Sequence, residues 1–320
     1  MVTLSSDTNA RAGAQTVDQT AKLTRRITML SVSAAVGLVA IKLAAWVASG
    51  SIALLASLAD SSLDVVASLA TFLAVRWAAA PPDSEHRYGH GKAEAFASLL
   101  QAGLVFASAA LVGQEAIQHL IHPKPITAEG WAMGVMAVST LVTVLLVRAQ
   151  ARVLRRVSSV AVAGDRAHYV VDVAANLTAF AGIALSLMLG SPLWDAAAGL
   201  FVTGWLVWGA IQVFRDSSSQ LLDHELPDAD RAEIMARMTS DPRVKGVHQL
   251  RTRASGPYIH IQMHADLEPT LSLEQAHEVV IEAENRVLEA FPAADIIIHQ
   301  DPQDRAQAHG GAFAEKEHHG

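Results

Sequence analysis

Two pairs of side chains, each with four-residue spacing, stand out as groups that could bind a metal ion. Asp60 and Asp64 lie in the apolar stretch SIALLASLADSSLDVVASLATFLAVRW, and His168 and Asp172 lie in AGDRAHYVVDVAANLTAF. Residues four apart lie on one face of a helix, so each pair presents two ligand groups together. If the two helices pack side by side, one imidazole and three carboxylates form a tetrahedral set of N and O ligands, which suits zinc.

The apolar surroundings of these acids require an explanation. A charged side chain near the middle of a membrane-spanning helix costs about 2.5–3.5 kcal/mol on insertion scales. A buried arginine or lysine could neutralise Asp60 and Asp64, but cations are scarce in the neighbouring apolar segments. We therefore favour a cation site facing a helix bundle. Asp165 and Asn176, one turn to either side of the second pair, are either supporting partners of that site or simple polarity at a helix contact.

The elements that must position these groups are membrane helices. Of the 320 residues, 51% are hydrophobic and 17% are charged, and the mean hydropathy is +0.28, which is too apolar for an ordinary soluble domain. Six segments have the length of roughly 20 residues that crosses the hydrocarbon layer. They are about 27–49, 52–76, 96–119, 129–149, 160–188 and 193–214, with tight turns at 50–51 and 190–192.

Basic residues set the orientation of these helices. Only Lys124 lies on the side opposite to the basic loops, so the positive-inside rule predicts that both termini are cytoplasmic. The polar arm 1–26 lacks the apolar core of a signal peptide. Lys42, inside the first span, is expected to extend to the membrane interface. The basic residues are Arg11, Lys22, Arg25 and Arg26 in the arm, Arg76, Arg87 and Lys92 after the second span, and Arg148, Arg152, Arg155 and Arg156 after the fourth.

The last hundred residues have the composition of an aqueous domain. Pro227 and Asp228 indicate a helix start, with Asp228 as the N-cap, and Ser272 and Gln275 have the spacing of a capping box. The absence of cysteine excludes thiolate metal sites, and the acidic net charge of −7 argues against a nucleic-acid partner. The pattern predicts helix 229–240, strand 244–253, strand 257–267, helix 272–290 and strand 294–299, an αββαβ domain within 215–305, followed by a disordered tail at 306–320.

Histidines outside the predicted membrane spans form two further groups. Asp83, His86 and His90 follow a D-x-x-H-x-x-x-H pattern, which is either a metal-binding loop or a solvated one. The C-terminal domain is rich in histidine for its size, which favours a second metal-binding surface over isolated surface histidines. Its candidates are His248, His260, His264, His277 and His299, with Asp301 nearby.

With these residues in view, the chain resembles the cation diffusion facilitator family, and within it the bacterial ferrous-iron and zinc efflux branch. The likeness covers about residues 20–303 and depends on the order of DSSLD, DSEHRYGHGKAE, HYVVD, HQLRTR and IIIHQDP. It implies a multi-pass homodimer of the bacterial inner membrane, with six transmembrane helices and a cytoplasmic α+β domain of ferredoxin-like or metallochaperone-like fold.

The resemblance also implies three metal sites in each protomer. One is a transport site in the membrane, one lies in the loop after the second helix, and one is a binuclear site at the cytoplasmic dimer contact; His260 has no counterpart in the family pattern. The implied ligands are Asp60, Asp64, His168 and Asp172 for transport, Asp83, His86 and His90 for the loop, and His248, His264, His277, His299 and Asp301 for the cytoplasmic site.

The activity implied by the resemblance is antiport, not enzymatic catalysis. The substrate would be zinc, with cadmium and ferrous iron as further substrates, protons would be the counter-ion, and zinc in the cytoplasmic site would be regulatory. Metal ligands must be deprotonated to bind, so metal binding is coupled to proton release.

A membrane metallohydrolase is an alternative, but it needs an open coordination position and a general base, and no H-E-x-x-H occurs. A metal-gated channel or a metal sensor is another alternative, and a channel would favour several weak sites along a pore.

Overall fold

The structure, a computed structural model, describes residues 3–49, 52–121, 130–189 and 193–305. The predicted turns at 50–51 and 190–192, Lys124 and the predicted tail 306–320 lie outside the described residues. The chain divides into two compact units, of which one contains Val17–Leu222 and the other contains most of the residues after Leu222. Long helices build the first unit, and a small α+β fold builds the second.

The first unit consists of long helices, which confirms the predicted helical membrane fold. The shortest has 25 residues and the longest 47, so each is long enough to cross a hydrocarbon layer of about 30 Å. Four contain spans that are also apolar enough within the described residues: Thr16–Ala48, Ser57–Ala78, Ala93–Gln118 and Gly134–Leu154. The six helices are α1 Thr3–Ser49, α2 Ile52–Ala78, α3 Ala93–Ile121, α4 Gly130–Leu154, α5 Val160–Leu189 and α6 Leu193–Leu221.

Small residues allow α3 and α6 to pack closely. A Cβ atom added to Gly113 would lie 2.9 Å from Thr203 Cγ2, and one added to Gly199 would lie 2.9 Å from Ala116 Cβ. Close approach through small residues is a common way for membrane helices to associate. Helix α5, which carries His168, packs against both helices through an apolar cluster of Val105, Ala109, Val171, Ala174, Leu206 and Ala210.

The second unit has the predicted αββαβ order. Its sheet has the order β1-β2-β3, and β2 pairs in parallel with β3. Helix α8 makes the crossover that parallel strands require. His264 lies opposite His299 in the register, and Asp266 lies opposite Asp301. The elements are α7 Asp228–Met238, β1 Val244–Ser255, β2 Tyr258–Leu267, α8 Leu273–Ala290 and β3 Ala294–Pro302.

The two predicted helix caps have different outcomes. The capping box of α8 is confirmed, because Ser272 Oγ accepts from the Gln275 N–H at 3.3 Å and Gln275 Oε1 accepts from the Ser272 N–H at 3.0 Å. The predicted Asp228 cap is wrong, because Pro227 occupies the N-cap position and no side chain caps the helix. Asp228 is the first helical residue, where its charge still favours the helix dipole.

Candidate metal centres

Helices α2 and α5 place three of the four predicted transport ligands together. His168 Nε2 lies 2.9 Å from Asp64 Oδ1, and one ligand atom each from Asp64, His168 and Asp172 lie within 4.8 Å of one another. Asp64 and His168 are each 5% exposed. In the part of the chain that the structure describes, His168 Nδ1 has no hydrogen-bond partner. A small divalent cation could therefore reach one nitrogen and two carboxylates in a buried position.

Asp60 lies on α2 one turn before Asp64, but it is not part of this group. Its side chain is exposed, whereas that of Asp64 is buried. The four-residue spacing predicts a shared helix face, but it does not fix which way each side chain extends. Asp60 would have to move toward His168 to complete the predicted set of four ligands.

The prediction for Lys42 is wrong, because its side chain turns into the helix bundle. Lys42 is 9% exposed, and its Nζ donates to Ser61 Oγ at 2.6 Å and to the Ser57 carbonyl at 3.2 Å. These acceptors on α2 satisfy the ammonium group, so it does not need to reach the interface. Lys42 is also within electrostatic range of Asp60 and Asp172. The membrane unit thus contains a buried cation close to its acids.

The loop between α2 and α3 brings its three candidate ligands together. Asp83 Oδ1 accepts from the backbone N–H of Glu85 at 2.9 Å and of His86 at 2.6 Å. Gly89 has φ +79°, and this turn returns His90 Nε2 to within 3.2 Å of Asp83 Oδ2. The hydrogen bond from the His86 N–H is the main reason that the pKa of Asp83 is lowered. An ionised carboxylate beside two imidazoles is a plausible metal site in this loop.

The cytoplasmic histidines converge on the carboxylate of Asp301. Asp301 is 6% exposed and lies 2.7 Å from His264 Nδ1, 3.4 Å from His299 Nε2 and 3.6 Å from His248 Nε2. The three imidazoles come from β2, β3 and β1, one from each strand. Ligand atoms of His248, His264 and Asp301 lie within 4.8 Å of one another, and His299 is adjacent.

Three other residues of this unit need separate mention. His277 is exposed on α8 and is not part of the group around Asp301. His260 is held by Asp295, its partner in the β2–β3 register, with Nδ1 and Oδ2 3.2 Å apart. Asp266 is a candidate that the sequence reasoning missed, since its Oδ1 lies 3.5 Å from His248 Nε2. Its two-residue spacing from His264 on one strand was the available signal.

The fold is that of a helical membrane protein, and it carries clustered candidate ligands for metal cations. Family models match two parts of the chain: the cation efflux transmembrane domain over residues 28–222 and the cation efflux protein cytoplasmic domain over residues 226–303. The protein therefore belongs to the cation efflux family, as the sequence motifs predicted.

Curated relatives agree with this assignment over most of the chain. The cation-efflux pump FieF of Salmonella choleraesuis (strain SC-B67) is 39% identical over 295 residues, which cover 91% of this chain and 97% of that protein. FieF of Salmonella arizonae is 40% identical over 284 residues, covering 88% and 93%. A solved structure of CzrB in its zinc form is 29% identical, with a TM-score of 0.24, over 27% of this chain and 98% of that one.

Proposed function

We propose that this protein exports zinc from the cytoplasm in exchange for protons by alternating access, with cadmium and ferrous iron as further substrates. The observation that carries the proposal is the buried group of Asp64, His168 and Asp172 on two neighbouring helices. A mixed set of nitrogen and oxygen ligands suits zinc and tolerates ferrous iron, whereas magnesium and calcium are bound mainly by oxygen ligands.

The same side chains provide a physical basis for exchange. His168 and Asp64 are in hydrogen-bond contact at 2.9 Å, so in the absence of metal these two groups can share a proton. A divalent cation needs both groups deprotonated, and its entry therefore displaces protons. Protons that return from outside after the bundle rocks would release the metal, and the proton gradient would drive export.

The other two sites and the assembly belong to the same proposal. The loop site of Asp83, His86 and His90 would bind a second ion, and the cytoplasmic site would bind zinc as a sensor that holds a homodimer together. Exposed His277 would join that site at the dimer contact. The protein would lie in the bacterial inner membrane with both termini cytoplasmic. We assign residues 1–26 to an arm, 27–214 to transport, 215–305 to the cytoplasmic domain and 306–320 to a tail.

Zinc uptake into sealed proteoliposomes with an imposed proton gradient tests the proposal. Internal pH is recorded together with zinc for the unaltered protein, for Asp64→Ala, and for Asp216→Ala as a control. Asp216 is an exposed acid on α6 outside the group of ligands. We expect zinc uptake with opposing proton flux in the unaltered protein and in the control, and loss of both in Asp64→Ala.

Other results would contradict the proposal in distinct ways. Zinc uptake that is independent of the proton gradient would indicate a channel. No uptake of zinc, cadmium or ferrous iron would leave a sensor or a carrier of another cation. Zinc uptake that persists in Asp64→Ala would show that transport does not depend on this carboxylate of α2.

A further inference from the structure

Asp165 is a completely buried carboxylate on α5, one helical turn before His168. It is 0% exposed and accepts hydrogen bonds from side chains of three other helices. Its Oδ1 accepts from Ser68 Oγ of α2 at 3.2 Å and from Gln101 Nε2 of α3 at 3.3 Å. Its Oδ2 accepts from Gln150 Nε2 of α4 at 2.8 Å. Burying a carboxylate costs free energy, even when three neutral donors from three helices bind it. This cost indicates that Asp165 has a function.

The hydrogen-bond network around Asp165 also includes α1 and a second residue of α5. Gln150 Nε2 donates to Ser31 Oγ of α1 at 3.1 Å. The hydroxyl of Tyr169 lies 2.7 Å from Ser68 Oγ, to which it can donate while Ser68 donates to Asp165, and 3.4 Å from the Ser31 carbonyl. Both Tyr169 and Ser68 are buried. Five helices, α1 to α5, therefore meet at one polar junction.

This junction and the transport site are consecutive contacts between the same two helices. On α2, Ser68 lies one turn after Asp64, and on α5, Tyr169 directly follows His168. The Ser68 contacts at 2.7 and 3.2 Å and the Asp64–His168 contact at 2.9 Å consequently depend on a single spacing between α2 and α5. Zinc requires ligand distances of about 2.0–2.2 Å, so a small change in that spacing alters binding.

We propose that Asp165 is a positioning residue for the transport site. By accepting from Ser68, whose hydroxyl also contacts Tyr169, it fixes α2 against α5 and sets the separation of Asp64 and His168 to suit a small divalent cation. The bonds to Gln101 and Gln150 anchor the carboxylate to α3 and α4, so that the helix pair is held from two sides. This inference rests on the proposed transport site.

The structure also indicates which substitutions separate positioning from folding. Among the described residues, Gln101 Oε1 and Gln150 Oε1 have no hydrogen-bond partner. Asparagine at position 165 can therefore keep its bonds, since each glutamine can rotate its amide and offer the oxygen. Asp165→Ala removes the carboxylate and its bonds to Ser68, Gln101 and Gln150. Ser68→Ala removes only the link to α2 and leaves Asp165 with both amide donors.

The test measures zinc KM and kcat, and the preference for zinc over cadmium, with the full-length protein in proteoliposomes. Ser217→Ala is the matched control, because Ser217 Oγ donates to Ser98 Oγ at 2.7 Å in another buried interhelical bond. We expect Ser68→Ala and Asp165→Ala to raise the zinc KM about tenfold, the lower end for partners of metal ligands, and to shift preference toward the larger cadmium ion. We expect kcat to change less than KM in both variants. Asp165→Asn should have a zinc KM much closer to that of the unaltered protein than Asp165→Ala has. Ser217→Ala should have the KM of the unaltered protein.

Two results would overturn the inference: an unchanged zinc KM in Ser68→Ala and Asp165→Ala, or an equal rise in Ser217→Ala. If Asp165→Ala does not fold, Ser68→Ala alone decides, because it keeps the acid and its amide donors. Asp64→Ala in the same assay separates the two proposals. Loss of uptake in Asp64→Ala with a normal KM in Ser68→Ala would defeat only the positioning role, whereas uptake in Asp64→Ala would defeat the proposed transport site itself.

Discussion

The ammonium group of Lys42 is a positive charge of the protein itself, and it lies near the acids of the membrane unit. Its ammonium is bound to Ser61 and Ser57 and lies within electrostatic range of Asp60 and Asp172. A fixed positive charge near carboxylates opposes the binding of another cation. The affinity of the proposed transport site for a cation is therefore expected to reflect a balance between attraction by these acids and repulsion by Lys42.

Replacing Lys42 tests that balance. We expect Lys42→Met to lower the zinc KM by about fivefold, equivalent to about 1 kcal/mol, because the repulsion is removed. Lys42→Arg keeps the charge and should retain the KM of the unaltered protein. Zinc transport in proteoliposomes measures both. An equal rise of KM in the two variants would instead assign Lys42 a purely structural role as a donor to Ser61.

His168 supplies the only nitrogen in the group formed with Asp64 and Asp172. We expect His168→Asp to shift the preference of the transporter from zinc toward manganese, since all-oxygen sites suit harder cations. Competition between the two metals for uptake measures this preference. If the selectivity does not change, the choice of metal is made elsewhere in the transport cycle.

Single residues differ in how far the sequence could predict them. The sequence could predict that Asp64, His168 and Asp172 lie close together, because a four-residue spacing is a local property of a helix. The direction of the Asp60 side chain and the burial of Lys42 were not, because they depend on partners from another helix. The role of Asp165 depends on Gln101 and Gln150, which lie far apart in the chain and carry no motif.

At the level of elements, the turn before β1 is fixed by charged side chains. Arg243 Nη2 donates to Asp241 Oδ2 at 2.6 Å, and Arg286 of α8 lies 3.7 Å from the same oxygen. The side-chain hydrogen bond from Arg243 is the main reason that the pKa of Asp241 falls to about 2. Arg243 also pairs with Glu282, which links the turn to α8.

This pair gives the cytoplasmic unit a defined pH dependence. An unfolded aspartate titrates near pH 3.9, so the stabilisation by Asp241 is complete above about pH 4 and is lost as the pH falls to about 2. We expect Asp241→Asn to speed hydrogen exchange of the α8 amides at pH 5, with a difference from the unaltered protein that shrinks toward pH 2. A difference that grows as the pH falls would contradict this assignment.

Elements were predicted better than their ends. The order αββαβ follows from apolar periodicity, and the box of Ser272 and Gln275 is a local pattern. The predicted end of the last strand at 299 was too early, because β3 continues its pairing with β2 as far as Pro302. The N-cap of α7 was misplaced by one residue, because Pro227, with the extended backbone φ −52° and ψ 146°, is the cap and Asp228 already begins the helix.

For the molecule as a whole, we expect the cytoplasmic cluster to couple metal binding to the stability of an entire sheet. Its candidate ligands His248, His264 and Asp301 come from three different strands. We expect zinc to slow hydrogen exchange in all three strands, by an amount equivalent to about 2.7 kcal/mol at a hundredfold excess over Kd. Removal of zinc with a chelator should reverse the effect.

Asp301→Ala tests whether this stabilisation depends on the cluster, since Asp301 contacts all three imidazoles. We expect the variant to show the same exchange rates with and without zinc. Asp295→Ala is a suitable control, because Asp295 pairs with His260 outside the cluster. Equal protection by zinc in Asp301→Ala would place the bound ion elsewhere.

The contact between Lys42 and Ser61 also has a consequence for biosynthesis. Asp64 enters the membrane during translation before His168 exists, since 104 residues separate them. Lys42 is synthesised 19 residues before Ser61 and is already available when the acids of α2 emerge. An early hairpin of α1 and α2 can thus shield part of an insertion cost of about 2.5–3.5 kcal/mol per acid. By this account Lys42, which is expected to weaken cation binding in the finished protein, would first assist the membrane insertion of α2.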